Sequence, residues 1–297
     1  MNDKLKNFLV RTASGAVLLL VVLGAAFTGP VGYGALLLLI TGVGVWEFYA
    51  LARAKGVEPQ RVLGLVGSLA LTLMGACITW CGYLNDDSIR LERCLEDIAL
   101  VCLVTTALTI MFVFVAEVFR NRQTPIHNIA TTILGMVYVA LPMAVMALIP
   151  MLLQDPDWEN PEWNPLYFLF YLFLVWGNDV FAYIFGITTG KHKLCERLSP
   201  KKSWEGFAGG IAGSMCVGAI AAAALGESYI FWIGLALVVA LSSVVGDLIE
   251  SMFKRDAGVK DSGNILPGHG GMLDRFDALI ISAPFALMYI VITSIFF

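Results

Sequence analysis

Nine stretches of roughly twenty apolar residues, at 12–29, 31–52, 62–84, 97–118, 128–153, 165–187, 206–226, 228–252 and 276–297, constrain this chain more than any other feature. About twenty residues of helix cross the hydrocarbon of a bilayer. Lipid offers no water to satisfy an open strand edge, so such stretches fold as helices. Hydrophobic residues make up 58% of the 297 and charged ones only 14%, which excludes an ordinary soluble domain. The predicted fold class is an all-α polytopic membrane protein of about nine transmembrane helices. Lys4, Lys6 and Arg11 before the first run imitate a signal peptide. That run passes through Gly29-Pro30 straight into the second without a small-residue cleavage site, so it reads as a retained span.

Of the 19 Lys and Arg residues, all but Arg90 and Arg93 fall on one side if the spans alternate. The positive-inside bias makes that side cytoplasmic, with the N-terminus inside and the C-terminus outside. The loop around Asp155, Asp157, Glu159 and Glu162 carries no cation and lies outside on this scheme. No basic arm points to nucleic acid. Cys77, Cys102 and Cys216 read as small buried hydrophobes, while Cys81 and Cys94, both near the outer surface, could pair in an oxidising compartment. Residues 1–160, with five mostly apolar spans rich in small residues, read as a transmembrane scaffold. Residues 161–297, with four spans and two cytoplasmic loops, hold the polarity and read as the catalytic region.

Asn178 and Asp179 lie near the inner end of the sixth span, and Asp247 and Glu250 near the inner end of the eighth. A carboxylate at such depth costs about 2.5–3.5 kcal/mol on insertion scales, so it faces a partner or a wet cavity. On a helix, Asp247, Glu250, Ser251 and Lys254 share one face. For Glu250 alone, an internal pair with Lys254 would account for the spacing. The following loop weakens that account, because it is rich in glycine and charge and ends in Asp274 and Asp277 at the entrance of the last span. Lysines beside glycines suit phosphate oxygens. Paired aspartates suit a hard divalent cation that also holds substrate phosphate. Together they describe a site for a nucleoside triphosphate. Each element also has a plainer account: Lys201 and Lys202 as inner-face charges, His269 as a loop residue bonded to backbone, and Ser203-Trp204-Glu205 as an interfacial helix start.

The stretch SMFKRDAGVKDSGNILPGHGGMLDRFD, Ser251 to Asp277, resembles the signature of the phosphatidate cytidylyltransferases, also called CDP-diacylglycerol synthases. Gly246-Asp247, SPKKSWEG at Ser199–Gly206 and NDVFAYIFG…GK from Asn178 to Lys191 agree with it, so the resemblance covers about the last 120 residues. Many bacterial members have a small polar residue, glycine, alanine and tyrosine after the aspartate, and arginine after the later glycine. Here Val180-Phe181 and Ile187 stand instead, which puts a basic contact near Gly186 in doubt and leaves Lys191 or Lys193 to replace it.

The resemblance implies that CTP and phosphatidate react to give CDP-diacylglycerol and pyrophosphate, with Mg²⁺ and a second, monovalent cation such as K⁺. It implies metal ligation by Asp247 and Asp274, supported by Asp277 and Asp179. Lys254, Arg255, Lys260, Asp261, His269 and Arg275 join the two aspartates as catalytic candidates. Asn178, Asp179, Ser199, Lys201, Lys202, Ser203, Glu205, Ser251, Gly270 and Gly271 are the expected substrate-binding residues. The sequence does not divide the cations between the two substrates, and oligomeric state is open, a homodimer included. A CTP-dependent polyprenol kinase would release CDP instead of pyrophosphate, and a cation-coupled transporter would place its acids at the midplane. Neither accounts for the 27-residue signature.

Overall fold

The computed structural model describes residues 3–84, 89–154 and 162–296; Asp155, Asp157 and Glu159 of the acidic loop lie outside them. Among the described residues nine helices or helical composites are long and apolar enough to cross a membrane, in register with the nine runs of the sequence. They are α1 (Asp3–Phe27), α2 (Pro30–Ala54), α3 (Arg61–Gly82), α4 (Ile89–Arg120), the pair α5 (Pro125–Gly135) and α6 (Leu141–Gln154), α7 (Pro165–Thr189), α8 (Trp204–Leu225), α9 (Tyr229–Asp256) and α10 (Leu273–Phe296).

The fifth crossing is composite because a single π turn, Met136–Ala140, joins α5 to α6. Pro142 follows it at once. A proline ring crowds the carbonyl four residues earlier and offers no N–H, and the wider π turn accommodates both defects. Two further features depart from the sequence expectation. Helix α4 begins at Ile89, so Arg90 and Arg93 extend the helix beyond its apolar run. The loop after α7 folds into an antiparallel hairpin of β1 (Lys193–Cys195) and β2 (Ser199–Ser203), paired Lys193 to Ser203 and Cys195 to Ser199. This lysine-rich stretch lacks the apolar alternation by which a strand is read. Cys81 and Cys94, which the sequence left able to pair, are free thiols.

One apolar core runs through both blocks of the chain, from Val22 of α1 and Tyr33 of α2 to Ile290 of α10. Helices α2 and α6 pack on α10, and α7, α8 and α9 pack in sequence. Two buried tyrosine hydroxyls of the core meet backbone: Tyr33 donates to the Met146 carbonyl at 2.6 Å and Tyr49 to that of Thr132 at 2.7 Å. The polar end of α7 is positioned by a stripe of glycines on α8. At Gly210 a Cβ would stand 2.6 Å from Asn178 Oδ1 and 2.8 Å from its carbonyl oxygen, so only glycine lets the two helices approach this closely.

Candidate functional site

The shared face of α9 meets the first turn of α10 at a cluster of carboxylates. Asp247, Glu250 and Asp277 each offer an oxygen, all within 4.8 Å of one another. Glu250 is fully buried and Asp277 is 9% exposed. Glu250 accepts from Lys254 Nζ at 2.5 Å through Oε2, while its buried Oε1 has no hydrogen-bond partner. Ser251 Oγ donates to one oxygen of Asp247 at 3.4 Å, and Lys202 from β2 forms an ion pair with the other. Three acids at such spacing with a buried oxygen left unpaired are costly unless a cation joins them.

Asp274 occupies a different place. Its Oδ1 pairs with Lys254 Nζ at 2.7 Å. Its Oδ2 accepts from Ser262 N and Gly271 N, each at 2.8 Å, and from Ser262 Oγ at 3.0 Å. The sequence expectation paired Asp247 with Asp274; the structure sets Asp274 to holding the signature loop and brings Glu250 to Asp247 instead. Gly270 turns this loop at φ +81°, and a Cβ there would lie 2.6 Å from Asp274 Oδ2.

Glu47 of α2, a residue the sequence reading left in the scaffold, reaches the same loop. It is 6% exposed and accepts from Met272 N at 3.0 Å and Leu273 N at 2.8 Å, with Ser262 Oγ 3.3 Å away. It thereby caps the start of α10 from another helix, satisfying N–H groups that have no partner within α10. Its signal in the sequence was a lone carboxylate inside an apolar span.

One cavity adjoins the cluster through Asp247, and a second lies against the signature loop. The first, of about 250 Å³, is lined by Asn178, Asp179, Lys201, Lys202, Ser203 and Asp247 together with Tyr183, Phe207, Leu194 and Val244. Asn178 is fully buried, and neither polar atom of its side chain has a partner. Ser203 Oγ caps α8 by accepting from Gly206 N at 3.1 Å. The second cavity, of about 530 Å³, is lined by Lys260, Asp261, His269, Gly270 and Arg275, with Arg11, Asn264 and Gly268 beside them. Arg275 Nε donates to the His269 carbonyl at 2.9 Å. Partial burial and the charges of Arg275 and Arg11 hold His269 below its ordinary pKa. Its Nδ1 lies 2.6 Å from Ser14 Oγ. Lys254 and Asp274 connect the carboxylate cluster to the second cavity's loop.

Several expected residues lie apart from both cavities. Arg255 is exposed and reaches the Val259 carbonyl at 3.5 Å. Ser199 serves in the hairpin register. Glu205 accepts from the backbone N–H of Lys191 and His192 at 3.0 and 3.2 Å and contacts His192 Nδ1 at 2.6 Å, closing the hairpin onto α8. Lys191 and Lys193 are exposed and line neither cavity.

A phosphatidate cytidylyltransferase of Synechocystis sp. is 34% identical over 280 residues, 88% of each chain. Those of Staphylococcus saprophyticus and of Staphylococcus aureus strain COL are 48% identical over 120 and 122 residues, in each case 40% of this chain and 46% and 47% of theirs. A family model described as the cytidylyltransferase family matches residues 9–293, from the start of α1 to near the end of α10. Because that match takes in the carboxylate cluster, both cavities and all the packed helices that hold them, the chain belongs to the cytidylyltransferase family.

Proposed function

We propose that this protein transfers the cytidylyl group of CTP to phosphatidate, giving CDP-diacylglycerol and pyrophosphate for phospholipid synthesis. The observation that carries this reading is the cluster of Asp247, Glu250 and Asp277 set between Lys202 and Lys254, with one cavity lined by Asp247 and another by the signature loop that Asp274 holds. A phosphate monoester is already an anionic nucleophile near neutral pH. Its oxygen bonds to the α-phosphorus of CTP, the bond from that phosphorus to the β-phosphate oxygen breaks, and pyrophosphate leaves with the electron pair. The demand on the protein is in-line positioning and neutralisation of charge more than a general base.

The two cavities support a division of the cations. The first has apolar walls among membrane-spanning helices, and Asn178, Lys201 and Lys202 would hold the phosphate of a lipid there. The second is polar and walled by the loop, and Lys260 and Arg275 would hold the triphosphate there.

The carboxylate set fits a hard divalent cation: three anionic oxygen donors lie within 4.8 Å of one another and the buried Glu250 Oε1 lacks a partner. Asp247, Glu250 and Asp277 would hold Mg²⁺, with Asp179 nearby and Asp274 anchoring the loop. A bound Mg²⁺ supplies charge neutralisation to the phosphates as negative charge moves onto pyrophosphate. A monovalent cation such as K⁺ belongs to the same proposal, at the same acids. The test is purified protein in detergent with labelled CTP and phosphatidate. CDP-diacylglycerol and pyrophosphate should form in equal amounts with Mg²⁺ and stop in chelator. Sustained turnover in chelator would refute the metal assignment, and release of CDP would refute the reaction.

The proposal includes orientation, with the N-terminus and both cavities on the cytoplasmic side, supported by the near-total bias of Lys and Arg to that side. Single cysteines at the exposed positions Glu196, in the hairpin, and Arg90, at the start of α4, check it. An impermeant thiol reagent applied to intact cells should label Arg90→Cys and spare Glu196→Cys until the membrane is opened. The opposite pattern would deny the site its CTP.

A further inference from the structure

Helix α1 packs mainly on α2, yet its inner end is tied to the signature loop. Ser14 Oγ contacts the Pro267 carbonyl at 2.9 Å and His269 Nδ1 at 2.6 Å. The hydroxyl also lies 3.0 Å from the Arg11 carbonyl, and its single proton serves one of these partners at a time. Arg11, one turn before Ser14, lies against Gly268, where a Cβ would stand 2.6 Å from Arg11 Cγ and the backbone takes φ +75°. These contacts bring the Arg11 side chain into the polar cavity with Lys260 and Arg275. Among the described residues none of these three cations forms an ion pair, and Asp261 is the one carboxylate lining the cavity. Three cations facing one acid across about 530 Å³ make a receptor for a polyanion.

We propose that Arg11 binds the β- and γ-phosphates of CTP and retains its hold on them as they leave as pyrophosphate, so that the first helix completes the nucleotide site. This rests on the cytidylyl-transfer reading above. The planar fork of arginine suits two oxygens of one phosphate or one from each of two phosphates. Cleavage of the bond between the α-phosphorus and the β-phosphate oxygen puts additional charge on the departing group, and a cation placed beyond the signature loop meets that charge. An anionic lipid headgroup has the same phosphate chemistry and reaches the inner ends of helices. The two sources are separable by which substrate's binding changes.

The measurement is steady-state kinetics of purified wild type, R11Q and R11K in detergent micelles, with KM for CTP, KM for phosphatidate and product inhibition by pyrophosphate. R11Q should raise KM for CTP and the inhibition constant for pyrophosphate about tenfold or more, the loss expected for a hydrogen bond to a charged group. KM for phosphatidate should stay within about twofold, and R11K should recover part of the loss. Should R11Q fail to insert, R11K alone carries the test, with a rise of about threefold expected for pyrophosphate because an ammonium cannot fork. A shift confined to phosphatidate would assign Arg11 to the lipid headgroup and overturn the proposal, as would an unchanged pyrophosphate constant. Wild type that makes no CDP-diacylglycerol would remove the reading beneath. Wild type that makes it beside an unchanged R11Q would remove only the role of Arg11.

Discussion

Asp247→Asn should yield a protein that inserts and melts close to wild type while its cytidylyl-transfer rate falls on the order of 10²–10³-fold. Asparagine keeps the shape of the side chain and a carbonyl oxygen for Ser251, but it removes the charge from the cluster with Glu250 and Asp277. If that cluster holds Mg²⁺, lowering its charge weakens both the metal and the stabilisation of departing pyrophosphate. Thermal stability changes little because relief of repulsion among three acids offsets loss of the pair with Lys202. Asp277→Asn should behave in the same way. Melting temperature and activity per folded molecule, measured on the same preparations, decide the matter. Near-normal activity in either folded variant would mean that the cluster is a structural feature only.

Lys254→Met should act chiefly on stability, with a loss of about 3–5 kcal/mol. Its ammonium stands between Glu250 and Asp274 at 2.5 and 2.7 Å, and the three side chains are 12%, 0% and 5% exposed. Removing the cation leaves two buried carboxylates without a counter-charge, whereas methionine fills most of the volume. Combining it with Glu250→Gln should restore part of the stability, because one stranded charge is gone. Activity should fall in both proteins, since Asp274 can no longer hold Ser262 and Gly271 in place. Denaturation in detergent gives the comparison. A loss below about 1 kcal/mol, the range of exposed pairs, would show the triad to be screened by solvent.

The acids near the inner ends of the spans differ in their surroundings. Glu250 pairs with Lys254 through Oε2 and also offers an oxygen to the cluster with Asp247 and Asp277. Asp274 falls on the ion-pair side and Asp247 on the cluster side. Helical spacing placed Asp247, Glu250, Ser251 and Lys254 on one face correctly, because that depends on a single helix. It could not say which of them Asp274 and Asp277 would meet, because that depends on the offset and rotation of α10 against α9.

The nine crossings were legible in the sequence by itself because lipid forces each backbone to satisfy its own hydrogen bonds, so span and helix are local properties. The polarity of the candidate site was legible for a related reason: carboxylates in apolar helices and a charged, glycine-rich loop are costly enough to stand out from the spans around them. What only the tertiary structure decided is how distant parts of the chain meet. Glu47 caps a helix more than two hundred residues away, Arg11 and Ser14 reach His269 and its loop across almost the whole chain, and the lysine-rich hairpin closes through Glu205. None of these has a local period or propensity. Each follows from packing, which brings helix ends together at one surface where unpaired N–H groups and buried charges must find partners.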